Sequence, residues 1–361
     1  MSMWRWIFAV GLCVCTAGWS GEPAPARPVA RVRTDPNVVL IVVEGAGWAD
    51  LGCQGQTNTP TPNLDRLAAE GLRLTHAVAQ DTNVVRTRRT LLLGLAPELG
   101  KTNAVLGAKD WTLASTLQQA GYSTAAFGVW GLGGDDKAGW PNAKGFEEWF
   151  GFLGQGASAD AYPATLWRNG EEILIPQNAG GKAGILANDF FTQAAANFMR
   201  QRQRRPFFCY VAYALPAPGK KPLVDEAFAQ QAWTPEQKHW ASVWTRLDRD
   251  VGRLMTTLKD LRLEQHTLVV WTSVGAGGRS VGSTEFFRSR SVVADRERVP
   301  LLMWRKEAIR AGLVADMACG VGDVMPTILD GVGIGIPPTL SGRSLKPLFG
   351  GGRGGELRIR N

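Results

Sequence analysis

Residues 38–43 read Val-Val-Leu-Ile-Val-Val, six β-branched or Leu positions with no polar alternation. A strand of that kind buries both faces, which a central strand of a parallel sheet covered by helices can do. The rest of the chain alternates in the same sense. Thr61 is placed as an N-cap with Pro62 at the first helical position. Leu64, Leu67 and Ala68 follow on one face, and Gly71 is the stop. Asp110 reads as the cap of a second helix, with Leu113 and Leu117 inward and Gly121 at its end; residues 122–127 read as a strand. Asn188 or Asp189 opens a helix, and 206–213 is a strand. The longest helix spans 235–261, where Trp240, Val243, Trp244, Leu247, Val251 and Leu254 recur every three or four residues. Strands follow at 267–272 and 299–304, then a helix capped by Asp323 that tolerates Pro326 and ends at Gly331. Strand-helix alternation predicts a doubly wound α/β fold, a mostly parallel sheet with helices on both faces. Ligands in such sheets bind beyond the carboxyl ends of the strands, so the loops after Val43, Phe127, Tyr213 and Thr272 should form the site.

The chain has 361 residues, 45% hydrophobic and 20% charged, which is enough for a large folded domain and excludes global disorder. Residues 1–20 place Arg5 before an apolar run and small residues at Ala17, Gly18 and Ser20. The run is short for a bilayer span, so a cleaved signal peptide is expected rather than a stable membrane anchor, and an exported, periplasmic or secreted protein. The residues before Cys13 and Cys15 fit a lipoprotein signal poorly. A Pro/Ala-rich linker occupies 21–35, the folded domain 36–349, and a Gly-rich flexible tail 350–361. Past the signal only Cys53, Cys209 and Cys319 remain, too few for a disulfide framework. Forty Lys and Arg against thirty-two Asp and Glu give a formal charge of +8, which favours anionic partners. No basic block is long enough to argue for nucleic acid.

Several segments resemble the sulfatase family of the alkaline-phosphatase-like superfamily. They are PNVVLIVVEGAGWADLGCQG (36–55), TPNLDRLAAEGLRLTHAVA (61–79) and NVVRTRRTLLLGLAP (83–97). YSTAAFGVWGLGG (122–134) is similar to the family's Y-x-T-x-x-x-G-K-W-H-L-G, and PFFCYVAYALPAP (206–218) to its P-F-F-L-Y-x-A-Y-x-x-P-H-x-P. WTSVGAGG (271–278) resembles the strand ending T-S-D-N-G. RVPLLMW (298–304) and VGDVMPTILDGVGIGIPPTLSGRSLKPLF (321–349) are similar to the later strand, helix and G-R-S-L segment. The resemblance implies the α/β fold derived above. The smaller C-terminal antiparallel subdomain usual after G-R-S-L is expected to be missing.

The resemblance also implies a site, and the chain departs from it. Family members hold a divalent metal, usually calcium, on three Asp and an Asn, and use a Cys in Cys-x-Pro-x-Arg, converted to formylglycine, as nucleophile. Those metal positions fall on Glu44, Gly45, Val274 and Gly275, and the nucleophile on Val84. The signature Pro falls on Arg86, and its Arg is kept as Arg88. Family Lys and His positions fall on Val129, Gly131 and Ala217; a further Lys is ambiguous among Arg288, Ser289 and Arg290. Calcium would be the family metal, but hard cations need several oxygen ligands, so no cofactor and no metal site are expected. Thr82 as a substitute nucleophile breaks the spacing to Leu91 and Gly94. Asp135-Asp136 and Glu147-Glu148 read as loop and helix-surface charge.

Arg86, Arg88 and Arg89 are the remnant of the signature and are expected where a loop enters a helix over 90–94. Arg forks and helix N-termini favour oxyanions. One reading is an anion-binding pocket without turnover; the other is that Arg88 pairs with a buried acid such as Glu44. His76, His239 and His266 fall on no catalytic landmark and read as surface or helix-end residues. Trp48, Trp130, Trp140, Trp149 and Trp167 lie in or near expected loops, where aromatic faces stack on sugars or simply pack. WRNGEE (167–172) reads as a hairpin with an Asn-Gly turn. The expectation is an exported, catalytically inactive sulfatase homologue that binds a sulfated or anionic glycan, or partners an active sulfatase relative. The alternatives are an active sulfuric or phosphoric ester hydrolase with a non-standard site, and an interaction scaffold with no ligand in the pocket.

Overall fold

The computed structural model describes residues 35–97, 104–134, 137–156, 160–218, 223–275 and 297–350. The expected signal segment, most of the linker and tail, Asp135-Asp136 and the ambiguous positions 288–290 lie outside the described residues. In chain order the elements are β1 (Asn37–Glu44), α1 (Pro62–Ala69), β2 (Leu72–Val78), α2 (Val84–Leu93), α3 (Leu113–Gln119), β3 (Ser123–Val129), β4 (Glu148–Phe152), β5 (Thr165–Arg168) and β6 (Glu171–Leu174). Then come α4 (Ala187–Arg202), β7 (Phe207–Tyr213), α5 (Glu226–Ala229), α6 (Pro235–Asp260), β8 (Thr267–Val274), β9 (Leu301–Trp304), β10 (Leu313–Gly320) and α7 (Val324–Gly331).

One ten-stranded sheet runs in the order β10-β2-β9-β8-β1-β7-β3-β4-β5-β6. β1 is central and pairs in parallel with β7 and β8, as its unbroken apolar run requires; only Glu44 at its end is not fully buried. The sheet is mostly parallel. β9 runs antiparallel between β8 and β2, and β4, β5 and β6 form an antiparallel edge. Helices α1 and α4 pack against α6, and α3 and α7 pack against α2. The β5–β6 turn has Asn169 at φ 46 and Gly170 at φ 92, the two left-handed residues of a type I′ hairpin.

Several local expectations are corrected. Helix α2 begins at Val84, six residues before the expected 90–94 segment, so its three Arg sit inside the helix rather than in a loop before it. Thr112, not Asp110, caps α3, its hydroxyl accepting from Ser115 N at 3.1 Å. Asp110 instead accepts from Gly107 N and Arg89. Helix α4 starts at Ala187, and the Asn188 side chain bonds both the N–H and C=O of Ala214 beyond β7. Asp323 makes no side-chain cap to α7; it accepts from Gly320 N and Arg343 N. Strands β2 and β10 carry no uninterrupted apolar run, and Glu147-Glu148 lead into the short strand β4 rather than a helix face. The start of α6 is secured by a capping box between Thr234 and Gln237.

His239 is not a surface residue. It is 1% exposed, and its Nδ1 accepts from Leu223 N at 2.9 Å, so Nε2 carries the proton toward Pro216 O, also 2.9 Å away. Burial lowers its pKa, the carbonyl of Pro216 opposing. The tryptophans mostly pack: Trp130, Trp140 and Trp149 are buried, and Trp149 and Trp167 lie in β4 and β5 rather than in loops. Trp140 meets Trp167 edge to face at 5.2 Å, and Arg298 covers the Trp48 ring at 4.3 Å.

Candidate functional site

The sheet brings the expected positions to one edge. Glu44 ends β1 and stands in register with Val274 at the end of β8. Both strands leave the sheet through glycine in the left-handed region, Gly45 at φ 77 and Gly275 at φ 95. Between them Ser273 Oγ accepts from Ala46 N and lies 3.0 Å from Val43 O, a brace across the two strand ends.

Helix α2 enters the same edge. Asn83 caps it, its side-chain oxygen accepting from Val85 N and Arg86 N. The N-terminal amides that would bind an oxyanion are thus partly satisfied from within. Val84 is the first helical residue and faces Gly275 so closely that a Cβ there would lie 2.7 Å from Val84 Cγ1. The positions expected to match the family's nucleophile and Asn ligand therefore meet as hydrocarbon against backbone. Val274 is fully buried in the core.

Arg88 lies one turn further along α2 and is 0% exposed. Its Nη2 donates to Glu44 Oε1. Its Nη1 donates to Trp130 O at 3.0 Å and to Gln155 Oε1 at 2.9 Å, and Gln155 Nε2 donates to Glu44 Oε2 at 2.7 Å. Among the described residues Arg88 Nε and the Tyr210 hydroxyl, both buried, meet no partner in good hydrogen-bond geometry, but the two groups interact with each other. Burial opposes the guanidinium charge most strongly, but Glu44 and Tyr210 outweigh it and its pKa is raised. Burial likewise pushes the Tyr210 phenol to about 12, against the pull of Arg88. Gln155 and Tyr210 were not anticipated; Gln155 follows the unrecognised β4, and Tyr210 sits in an apolar strand.

Arg86 and Arg89 have carboxylate partners too. Arg86 holds Asp81 through Nε at 2.7 Å and Nη2 at 2.9 Å, and Arg89 Nη2 meets Asp110 at 3.0 Å. The three Arg therefore point to three different acids rather than converging on one pocket. Ala217 lies exposed beyond β7, and Val129 is buried in β3. Gly131 adjoins the cluster: a Cβ there would come within 2.7 Å of Arg88 Nη1.

The donor set does not fit the family metal. Each oxygen of Glu44 accepts from Arg88 or Gln155, and Gly45, Val274 and Gly275 offer no side-chain oxygen. Among the described residues no group of three or more His, Cys, Asp or Glu could hold an ion. A cation at Glu44 would have to displace a guanidinium already there. No helix of the described residues is long and apolar enough to cross a membrane.

A mostly parallel, helix-covered sheet of this order is the fold of the alkaline-phosphatase-like superfamily. A family model described as Sulfatase matches residues 36–334, and the chain belongs to the sulfatase family. It is 30% identical to human arylsulfatase A over 88% of this chain and 68% of that protein. It is 26% identical to the N-acetylgalactosamine-6-sulfatase of Canis lupus familiaris over 96% of this chain and 70% of that protein. Among solved structures, Ps i-CgsB in complex with k-i-k-neocarrahexaose superposes with a TM-score of 0.74 at 26% identity, covering 87% of this chain and 76% of that one.

Proposed function

We propose that this sulfatase-family protein binds a sulfated or otherwise anionic glycan without cleaving it. The observation that carries the loss of hydrolysis is the contact of Val84 with Gly275 beside an Arg88 already neutralised by Glu44. A side chain with no heteroatom supplies no nucleophile, and a hydroxyl elsewhere would need a base or metal to activate it. The charge of +8 supports an anionic partner, as do relatives whose names specify sulfated amino sugars and a neighbour bound to a neocarrahexaose. Arg88 is inaccessible, so a bound anion would be met at the rim, where Arg86 and Arg89 are 33% and 20% exposed and the anion competes with Asp81 and Asp110. Export with removal of residues 1–20 belongs to the same reading, and the intact mass of the mature protein tests it.

A glycan array on the purified chain tests binding, with the Arg86→Ala/Arg89→Ala variant as comparison. Binding of sulfated glycans that the variant weakens supports the proposal; no binding to any anionic glycan favours a scaffold instead. The 30% identity to arylsulfatase A supports a second reading, an active ester hydrolase with a non-standard site. Turnover of an aryl sulfate by protein carrying one divalent ion per chain would establish that reading and remove the first.

A further inference from the structure

We infer that Arg88 is the resident cation of this chain: its guanidinium, in place of a divalent metal, balances Glu44 and ties together the segments at the carboxyl edge of the sheet. The inference rests on the proposed loss of hydrolysis, since both begin from the absent ligand positions, but its test is separate. Four segments meet in one network: the end of β1 through Glu44, α2 through Arg88, the turn after β3 through Trp130 O, and the segment after β4 through Gln155. These links join residues 42 to 111 positions apart in the chain, a long-range tie of the kind a bound metal ion makes. A planar guanidinium suits it because one nitrogen meets a carboxylate while another serves two acceptors.

The cluster also accounts for one glycine, and Val84, on the same helix as Arg88, for another. At Gly131 a Cβ would lie 2.7 Å from Arg88 Nη1 and 2.8 Å from Gln155 Oε1, so a side chain there and the closed network exclude each other. At Gly275 a Cβ would strike Val84 at 2.7 Å. The losses at 84, 131 and 275 are thus mutually compatible parts of one packed arrangement. A single reversion disrupts the packing without rebuilding a site. Removing one partner of a buried ion pair leaves the other charge uncompensated, which costs far more than losing a surface pair.

The test uses thermal unfolding of the full chain with excess CaCl2 and with EDTA. Tm is expected to be the same in both. Arg88→Met and Glu44→Gln are each expected to lower it by about 6 to 10 °C, and the double variant by less than the sum of the two. A Tm raised by calcium, or strictly additive variants, overturns the inference. Should Arg88→Met fail to fold, a glycine pair decides. Gly131 and Gly180 have nearly the same φ, 69 and 67, but a Cβ at Gly180 meets nothing within 4 Å. Gly131→Ala must lower Tm more than Gly180→Ala; equal losses refute the cluster's role. Aryl sulfate turnover is measured on the same samples. Turnover without a calcium effect removes the proposed function and leaves the resident cation standing, whereas a calcium-raised Tm without turnover does the reverse.

Discussion

Replacing Asp250 with Asn should stabilise the protein, and more so as the pH rises. Asp250 lies on α6, 3% exposed, facing α4. Burial pushes its carboxyl from an ordinary 3.8 up to about 7, with the Asp189 carboxylate adding to the rise and Thr192 and Arg253 opposing it. The opposition is weak, because Arg253 Nη1 is 3.4 Å from Asp250 and its side chain is 48% exposed. The same guanidinium is 3.9 Å from Asp189. Tyr213, from β7, is held neutral by burial. The folded chain keeps a proton that the unfolded chain releases. Stability from this group is therefore full below about pH 3.8 and is lost as the pH rises through about 7. A gap of about three pH units, at ~1.4 kcal/mol each, amounts to about 4 kcal/mol at alkaline pH. Asn carries no charge to desolvate and gives up an ion pair with Arg253 worth about 1 kcal/mol or less. The variant should gain about 3 kcal/mol at about pH 8 and about 2 to 3 kcal/mol less than that near pH 5. In a chain of this size its Tm advantage should grow by about 5 °C between the two pH values. Circular dichroism melts of both proteins at both pH values provide the measurement. A variant that melts below the parent at pH 8, or by the same offset at both, refutes the account.

Gly275→Asn, which restores the polar residue of the resembling family, should destabilise by about 2 kcal/mol or more, since it combines φ 95 with a Cβ 2.7 Å from Val84; urea unfolding checks it. His239→Gln should flatten the loss of stability on acidification. His239 has a lowered pKa, so its contribution is present above about pH 6.5 and is lost as the pH falls through the folded value; melts above and below that point report it. Trp271→Ala should cost about 3 to 5 kcal/mol because the ring is fully buried in β8. Trp271→Phe should cost clearly less, since the indole N–H has no hydrogen-bond partner among the described residues; denaturant midpoints separate the two.

Elements with strong internal periodicity were legible from residues alone. β1 needs no neighbour to declare itself buried on both faces, α6 carries its stripe over 26 residues, and the Asn-Gly turn specifies its own hairpin. Helix starts were less legible. The sequence around 84–90 mixes Val, Thr and Arg, and only the Asn83 cap with the docking of α2 against β8 and α7 extends the helix back to Val84. His239 looked like a helix-surface residue because nothing local shows that Leu223 N and Pro216 O meet its two ring nitrogens. For the Arg trio the sequence left open both a shared anion pocket and an Arg88–Glu44 pair, because the three lie within four positions and their partners are distant. On a helix they diverge, and each meets an acid supplied from elsewhere.

Residue order alone determined that a central parallel strand ends in Glu44 and Gly45, that Val84 can be no nucleophile, and that Arg88 keeps a charge at every accessible pH. Those are properties of side-chain chemistry and of short-range pattern. Whether that charge faces a ligand or an internal partner was decided by tertiary structure, because Glu44, Trp130 and Gln155 lie 42 to 67 residues from Arg88 along the chain. A buried guanidinium must find its acceptors wherever packing puts them, and here packing supplied a carboxylate, a carbonyl and an amide.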